Sequence, residues 1–136
     1  MPTTPLLDRL EINDLVSRLG ACLDEHRFTD LADLLTEDAT VATPGGESGG
    51  RAGVVAQATR NHEASAHVQH LITNVLVDLD GDQAAARANL LVTFAGEDGR
   101  PTSSLGEVYR FGVRRTPGGW RLARIEVRPR WRTDHG

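Results

Sequence analysis

The hydrophobic pattern of this chain changes its period after residue 65. Up to that point apolar residues recur three and four positions apart, which is typical of amphipathic helices. Beyond it they alternate with polar residues over residues 68–80 and again over 83–95, as they do in strands that bury one face. Two more strands are expected at residues 103–116 and 120–128. Helices followed by an antiparallel meander indicate an α+β domain in which a curved sheet folds around the helices.

The first half of the chain is expected to contain three helices and one short strand. Thr4 and Pro5 are residue types that start helices, as the N-cap and the first helical residue. The helices are expected at residues 5–26, 29–35 and 51–65. The strand is expected at residues 39–43, and the glycine-rich residues 44–50 are expected to form a flexible loop.

Length and composition are those of a single globular domain over residues 1–136. The single cysteine, Cys22, excludes a disulfide framework within one chain and agrees with a reducing compartment. No segment resembles a signal peptide or reaches the length of a membrane span. We therefore expect a cytoplasmic protein that does not bind membranes.

The basic residues restrict the chemistry and the partners. All 15 are arginine, which excludes Schiff-base formation through a lysine amine. Arginines are frequent between Arg110 and Arg132, where Glu126 is the single acid. They alternate along predicted strands and the formal net charge is −4, so we interpret them as solvated strand faces or subunit contacts. Nucleic acid is not an expected partner.

Polar side chains interrupt one face of the first long strand. Because strand side chains alternate, Val68, His70, Ile72, Asn74 and Leu76 are expected to point the same way. Burying an imidazole and a carboxamide among apolar residues costs free energy unless each finds a partner. This face therefore indicates a wet cavity that binds a small molecule. From these residues alone, a core histidine with a satisfied hydrogen bond is the favoured interpretation of His70.

Five short motifs, in order, resemble the SnoaL-like branch of the nuclear-transport-factor-2-like superfamily. They are Cys22-Leu-Asp24-Glu-His-Arg-Phe28-Thr-Asp-Leu31, Leu-Leu-Thr-Glu-Asp-Ala-Thr-Val at 34–41, Gly50-Arg51, His70-x-x-Thr73-Asn74 and Gly118-Gly-Trp120-Arg-Leu122. The resemblance covers roughly residues 8–131. It implies a cone-shaped α+β barrel, with three N-terminal helices packed in a strongly curved, mostly antiparallel sheet whose open end is a pocket. The family is similar to polyketide cyclases, scytalone dehydratase, limonene epoxide hydrolase and ketosteroid isomerase, and it includes non-enzymatic subunits.

The resemblance assigns expected roles to particular residues. In the dehydratase-like members an aspartate at the end of the first helix pairs with a strand histidine, and Asp24 and His70 occupy those positions. A carboxylate on one imidazole nitrogen fixes the tautomer, so the pair suits general acid–base catalysis. Asn74 would orient a substrate oxygen or satisfy a backbone group. Tyr109 would donate to a developing oxyanion or place its hydroxyl at the surface.

Two more residues are candidates on the last strand. Glu126 matches a carboxylate that serves as the base in some cyclases, although a salt bridge to Arg124 or Arg128 is the favoured alternative. Trp131 is expected to pack in the core or line the mouth of the pocket. No metal is expected, because the spacing of the histidines does not complete a ligand set, and the glycines lack a dinucleotide-binding pattern.

The sequence thus leads to one hypothesis and one alternative. The hypothesis is a cofactor-independent cyclase, dehydratase or isomerase that acts on a small, apolar cyclic or polyketide-like substrate through Asp24 and His70. The alternative is a non-catalytic module of the same fold that binds a small molecule or an assembly partner. A homodimer is expected in either case.

Overall fold

The computed structural model describes residues 4–135. Its elements are α1 (Pro5–Asp24), a 3-10 helix (Asp30–Leu34), β1 (Leu35–Thr43), β2 (Gly46–Gly49), α2 (Arg51–His62), β3 (His67–Asp80), β4 (Gln83–Ala95), β5 (Pro101–Thr116) and β6 (Gly119–Asp134). The six strands form one sheet in the order β2-β1-β6-β5-β4-β3, and β1–β6 is its parallel pair. The α+β class and the curved sheet around the helices are confirmed.

The first half of the chain differs from expectation in its second helix and its glycine-rich segment, and β1 begins at Leu35 where a start at residue 39 was expected. The short second helix is a 3-10 helix, so there are two α-helices where three helices were expected. Residues 44–50, expected to be a loop, contain β2, which pairs with β1 from Thr40 opposite Gly49 to Thr43 opposite Gly46. Glycine disfavours strands, which hides β2 from sequence patterns. At the turn Gly46 has a φ of 132°, a conformation that glycine adopts without a steric penalty.

The core lies between α1 and the inner face of the sheet. Thr4 Oγ1 accepts a hydrogen bond from the Leu7 amide at 3.2 Å, so α1 begins at its expected cap. One face of α1 is buried through Ile12, Val16, Leu19 and Leu23. From the sheet, the largest fully buried side chains are those of Trp120 and Phe111. None of the helices among residues 4–135 is long and apolar enough to cross a membrane.

A salt-bridge network fixes the start of α1 to the sheet. Asp8 accepts two hydrogen bonds from the Arg115 guanidinium, both at 3.0 Å, and one from Trp120 Nε1 at 3.1 Å. Arg115 also stacks on the Trp120 ring at 4.6 Å and pairs with Asp82 at 2.9 Å. Asp8 is buried, whereas Asp82 is exposed. One arginine therefore connects a buried carboxylate and a solvated one.

A β-bulge interrupts β3 and reverses the direction of its side chains. The register with β4 shifts between Thr73 and Leu76, and Asn74 has a φ of 56°. A left-handed residue in a strand adds one unpaired position, so the alternation changes phase beyond it. Leu76 is 62% exposed and Val77 is buried. The expectation that one face runs unbroken from residue 68 to residue 76 is therefore wrong beyond Ile72.

Candidate active site

Asp24 and His70 are joined by three hydrogen bonds. Asp24 is the last residue of α1, and His70 lies near the start of β3. The His70 amide donates to Asp24 Oδ1 at 2.9 Å and to Oδ2 at 3.1 Å. The imidazole Nδ1 is 2.6 Å from Oδ1. One carboxylate thus fixes both the backbone and the ring of His70.

This contact determines which imidazole nitrogen is free to react. The Asp24 carboxylate accepts hydrogen bonds, so in the neutral ring Nδ1 carries the proton and Nε2 carries the lone pair. Among residues 4–135, Nε2 of His70 has no hydrogen-bond partner. The His70 side chain is 3% exposed and lines the internal cavity described next. Nε2 is therefore the nitrogen available to a molecule in the cavity.

The cavity lies between α1, α2 and the concave face of the sheet, and its volume is about 250 Å³. Its walls are mainly apolar, with side chains from all three parts of the fold, among them Leu19, Leu23, Val54, Leu90, Val92 and Ile125. Polar groups reach it at a few points, namely Thr43, Gln57, Asn61, His62, His70, Glu107 and Tyr109. An apolar pocket with few convergent polar groups is the usual form of a small-molecule site.

His62 is a second imidazole in the cavity. Its ring centroid lies 5.4 Å from that of His70, and its Nδ1 is 2.8 Å from the Ala58 carbonyl oxygen. A carbonyl only accepts, so Nδ1 carries the proton and Nε2 of His62 is also an acceptor. Burial lowers the pKa of the His62 imidazole, and the nearby His70 adds to this effect. His62 was not singled out as a site residue, although Val54, Ala58 and His62 fall on one helical face.

Glu107 and Tyr109 form the polar part of the wall contributed by β5. Leu105, Glu107 and Tyr109 alternate along β5 and all line the cavity. Burial raises the pKa of the Glu107 carboxyl, and His70 opposes this shift. Burial also raises the pKa of the Tyr109 phenol, helped by Glu107 and Asp24. Both groups are therefore shifted towards their protonated, hydrogen-donating forms. Sequence reasoning missed Glu107, although the alternation that singled out His70 also places Glu107 on an inner strand face.

Asn74 does not reach the cavity. The bulge turns its side chain to the outside of the sheet, where its Oδ1 accepts a 3.4 Å hydrogen bond from Asn89 Nδ2. Both residues are exposed. The expectation that Asn74 shares the inner face with His70 and orients a substrate there is wrong.

Glu126 and Trp131 also lie away from the cavity. Glu126 accepts hydrogen bonds from Arg124, at 3.0 Å, and from Arg128, so the alternative interpretation as a salt bridge is confirmed. These arginines lower the pKa of the Glu126 carboxyl. Trp131 is 51% exposed and covers Gly106, where a Cβ would lie 2.0 Å from Trp131 Nε1. The expectation that Trp131 packs in the core or lines the pocket is wrong, because β6 carries it onto the outer face.

No cluster of three or more potential metal ligands occurs in residues 4–135. The titratable groups at the cavity are one Asp–His pair, a second imidazole, and a carboxyl and a phenol on the wall contributed by β5. These groups can accept a proton at one point of an apolar cavity and donate one at another.

Comparison with known proteins places this fold and cavity in a family. Rv2910c of Mycobacterium tuberculosis, an uncharacterized protein, is 33% identical over 124 residues, which are 86% of this chain and 82% of Rv2910c. A Novosphingobium aromaticivorans structure, provisionally named an aromatic ring hydroxylase, is 30% identical with a TM-score of 0.83, covering 98% of this chain and 96% of that one. A hexachlorocyclohexane dehydrochlorinase, LinA Type2, shares the fold at 21% identity with a TM-score of 0.87, covering 96% of this chain and 90% of that one. The profile of the SnoaL-like domain matches residues 4–126, and the chain therefore belongs to the SnoaL-like family.

Proposed function

We propose that the protein is a cofactor-independent acid–base enzyme, a cyclase, dehydratase or isomerase. The observation that carries the proposal is the hydrogen bond between Asp24 and the His70 ring beside an apolar cavity. A buried imidazole held in one tautomer, with its other nitrogen unpartnered, meets the geometric requirement for a general base. Tyr109 adds a phenol on the same cavity wall as a hydrogen-bond donor.

The reaction begins with proton transfer to His70. Nε2 removes a proton from a carbon next to a carbonyl, or from a hydroxyl. Asp24 keeps Nδ1–H oriented and stabilises the imidazolium that forms. Tyr109 donates a hydrogen bond to the substrate oxygen that gains negative charge. Each of these groups acts without a cofactor.

Cavity size and lining indicate the kind of substrate. A volume of about 250 Å³ lies just below the range of roughly 300–1,000 Å³ that is usual for drug-sized ligands. The substrate is accordingly small. Most of the lining is apolar, which favours a cyclic or polyketide-like molecule with one or two oxygen atoms near His70 and Tyr109.

The proposal is tested by a screen of cyclic ketones and small polyketide-like phenols, in which NMR detects the conversion of each compound. Turnover of a hit is expected to be lost in His70→Gln and to fall by about 10²–10⁴-fold in Asp24→Asn, the usual contribution of acid–base catalysis. His67→Gln is the matched control, because His67 is an exposed histidine three residues earlier on β3. Folded His70→Gln that keeps its activity would exclude His70 as the base.

A non-catalytic binding module is the second candidate. It is favoured by the apolar lining of the cavity, which can bind a small molecule without converting it, and by the presence of non-enzymatic subunits among similar proteins. Such a module would bind hits from the same screen with equal affinity in the wild type and in His70→Gln, and would convert none of them. Asp24 and His70 would then contribute only to stability.

The proposal includes a homodimer through the outer face of the sheet. Four large apolar side chains are exposed there, Leu71, Leu76, Leu91 and Trp131. An exposed apolar patch of this kind marks an interaction surface. Sedimentation analysis of Trp131→Ser is expected to show a shift towards monomer, whereas Leu10→Ser, at an exposed position on α1, is expected to have no effect. A wild-type monomer at micromolar concentration would contradict this part of the proposal.

A further inference from the structure

We propose that Glu107 is the general acid of this site, and that the reaction is the loss of water from a small β-hydroxy ketone. The inference rests on the proposed function, because it takes His70 as the base. It adds a second catalytic residue, and it selects one reaction and one substrate class among those left open.

The register of the sheet places Glu107 two strands away from His70 on the face that lines the cavity. His70 lies opposite Val92, and Val92 lies opposite Leu105, so Glu107 is two strands away and two residues further along β5. Neighbouring strands are about 4.8 Å apart, which separates the β3 and β5 backbones by roughly 10 Å. His70 and Glu107 both line the cavity. A substrate of a few carbon atoms therefore fits between the two side chains.

Glu107 lacks the arginine partners that would hold it as a carboxylate. The chain has 15 arginines, yet within residues 4–135 Glu107 forms no ion pair and no hydrogen bond. Glu126, on the neighbouring strand, is held between Arg124 and Arg128. The environments shift the two carboxyl groups in opposite directions, with the pKa raised for Glu107 and lowered for Glu126. An unpaired, half-buried carboxyl is suited to donate a proton.

The other polar groups leave Glu107 as the donor for a leaving group. Both histidines hold Nδ1–H in other contacts, His70 with Asp24 and His62 with Ala58, so each offers only an acceptor to the cavity. Tyr109 is assigned to the carbonyl oxygen. Hydroxide is a poor leaving group, and its departure is much faster when an acid protonates it. Glu107 is the remaining group on the wall that can supply this proton.

The atoms and electrons of the step balance. His70 Nε2 takes the proton from the carbon between the carbonyl and the carbinol carbon. The electron pair of that C–H bond becomes the new C=C bond, and the C–O bond of the carbinol breaks. The oxygen leaves with its electron pair, takes the Glu107 proton and departs as water. Return of the imidazolium proton to the Glu107 carboxylate restores the starting state.

Two model reactions separate the roles of the base and the acid. The first is deuterium exchange next to the carbonyl of 4-phenylbutan-2-one in D₂O, which needs a base but no leaving-group acid. The second is loss of water from 4-hydroxy-4-phenylbutan-2-one, which needs both. Glu107→Gln is expected to keep exchange within a few-fold of the wild type and to slow elimination by at least about 100-fold. His70→Gln is expected to lose both reactions.

The outcomes distinguish the inference from the proposed function. Elimination that is unchanged in Glu107→Gln, or that falls only as much as exchange does, overturns the role of Glu107 and leaves that of His70 intact. Exchange and elimination that do not depend on His70, or that are absent in the wild type, contradict the acid–base function on this substrate class and the inference with it.

A measurement without substrate tests the acid directly. Protein labelled with ¹³C at its glutamate carboxyls has eight resonances to follow, and the one missing from Glu107→Gln belongs to Glu107. The titratable groups sharing its cavity are His70, His62 and Tyr109, while β4 and β6 present the apolar Leu90 and Val127. Glu107 is expected to titrate above the ordinary range of a glutamate and at higher pH than Glu126. Titration in the ordinary range near about 4.3 would overturn the assignment.

Discussion

The two carboxylates on Arg115 offer a sharp test of how burial determines the strength of an ion pair. Asp8→Ala removes a side chain that is 9% exposed, together with two arginine hydrogen bonds and the one from Trp120 Nε1. Asp82→Ala removes a partner of the same guanidinium that is 82% exposed. The arginine is common to both, so the comparison sets a buried carboxylate that also binds Trp120 against an exposed one.

The expected losses differ several-fold. Breaking a buried ion pair costs about 3–5 kcal/mol, because the remaining charge stays desolvated. Arg115 is 29% exposed and keeps Asp82, so Asp8→Ala is expected near the lower end, about 3 kcal/mol. An exposed pair contributes about 0–1 kcal/mol, which is the expectation for Asp82→Ala. For a domain of this size about 3 kcal/mol corresponds to a fall in Tm of roughly 10 °C.

Urea denaturation followed by tryptophan fluorescence measures both losses. The free energies of unfolding of wild type, Asp8→Ala and Asp82→Ala are compared at one pH and one salt concentration, and equal m-values show that the unfolded states are comparable. Repeating the series at high salt is expected to reduce the effect of Asp82→Ala more than that of Asp8→Ala. Losses that agree within about 1 kcal/mol would refute the argument from burial.

The remaining predictions concern pH and the bulge. Burial raises the pKa of the Glu107 carboxyl in the folded state, so the folded protein binds more protons than the unfolded chain between the ordinary pKa and the raised pKa, and stability falls as pH rises through this interval. Urea denaturation is therefore expected to find Glu107→Gln more stable than the wild type at about pH 8 and equally stable near about pH 4. A difference in unfolding free energy that is the same at both pH values would contradict this. Burial lowers the pKa of the His62 imidazole, so its contribution to stability is present above the unfolded pKa of 6.5 and is lost as pH falls through the folded pKa. This loss lowers Tm on the acid side of the Tm–pH curve, and His62→Gln is expected to make that decline shallower. An unchanged decline would refute the reasoning. Asn74 has a φ of 56°, a left-handed conformation that is strained for alanine and unstrained for glycine. Asn74→Ala is therefore expected to lower the free energy of unfolding by about 1–2 kcal/mol, and Asn74→Gly to leave it nearly unchanged. Equal thermal stability of the two variants would disprove this.

The fold was predictable to the extent that side-chain periodicity reports it. The long strands alternate clearly, and the predicted start of α1 at Pro5 agrees with the structure. β2 was missed because its pairing with β1 is formed by a glycine-rich sequence that carries no hydrophobic alternation. Hydrophobic alternation shows that one face of a strand is buried, so a strand such as β2, which buries little, carries no such alternation.

Within the candidate site, the limit was local backbone conformation. Alternation placed His70 on the inner face, and the same rule would have placed Glu107 there. It failed at Asn74, since one left-handed residue changes the phase of every later side chain on β3. The partnership of His70 with Asp24, 46 residues away, came from the family resemblance, because spacing along the chain does not predict which helix end meets which strand.

Under the proposed function, the double attachment of Asp24 to His70 would change the usual relation between activity and stability. Many catalytic groups are held in unfavourable surroundings, so their removal makes a protein more stable. Here the same carboxylate that orients the imidazole also accepts the backbone amide of β3, and thereby fastens the end of α1 to the edge strand of the sheet. A mutation that inactivates the protein at Asp24 would loosen this junction as well. During divergence, a substitution of Asp24 that abolishes activity would also weaken the fold. A substitution of His70 would leave the hydrogen bonds between the backbone amide of residue 70 and Asp24 intact.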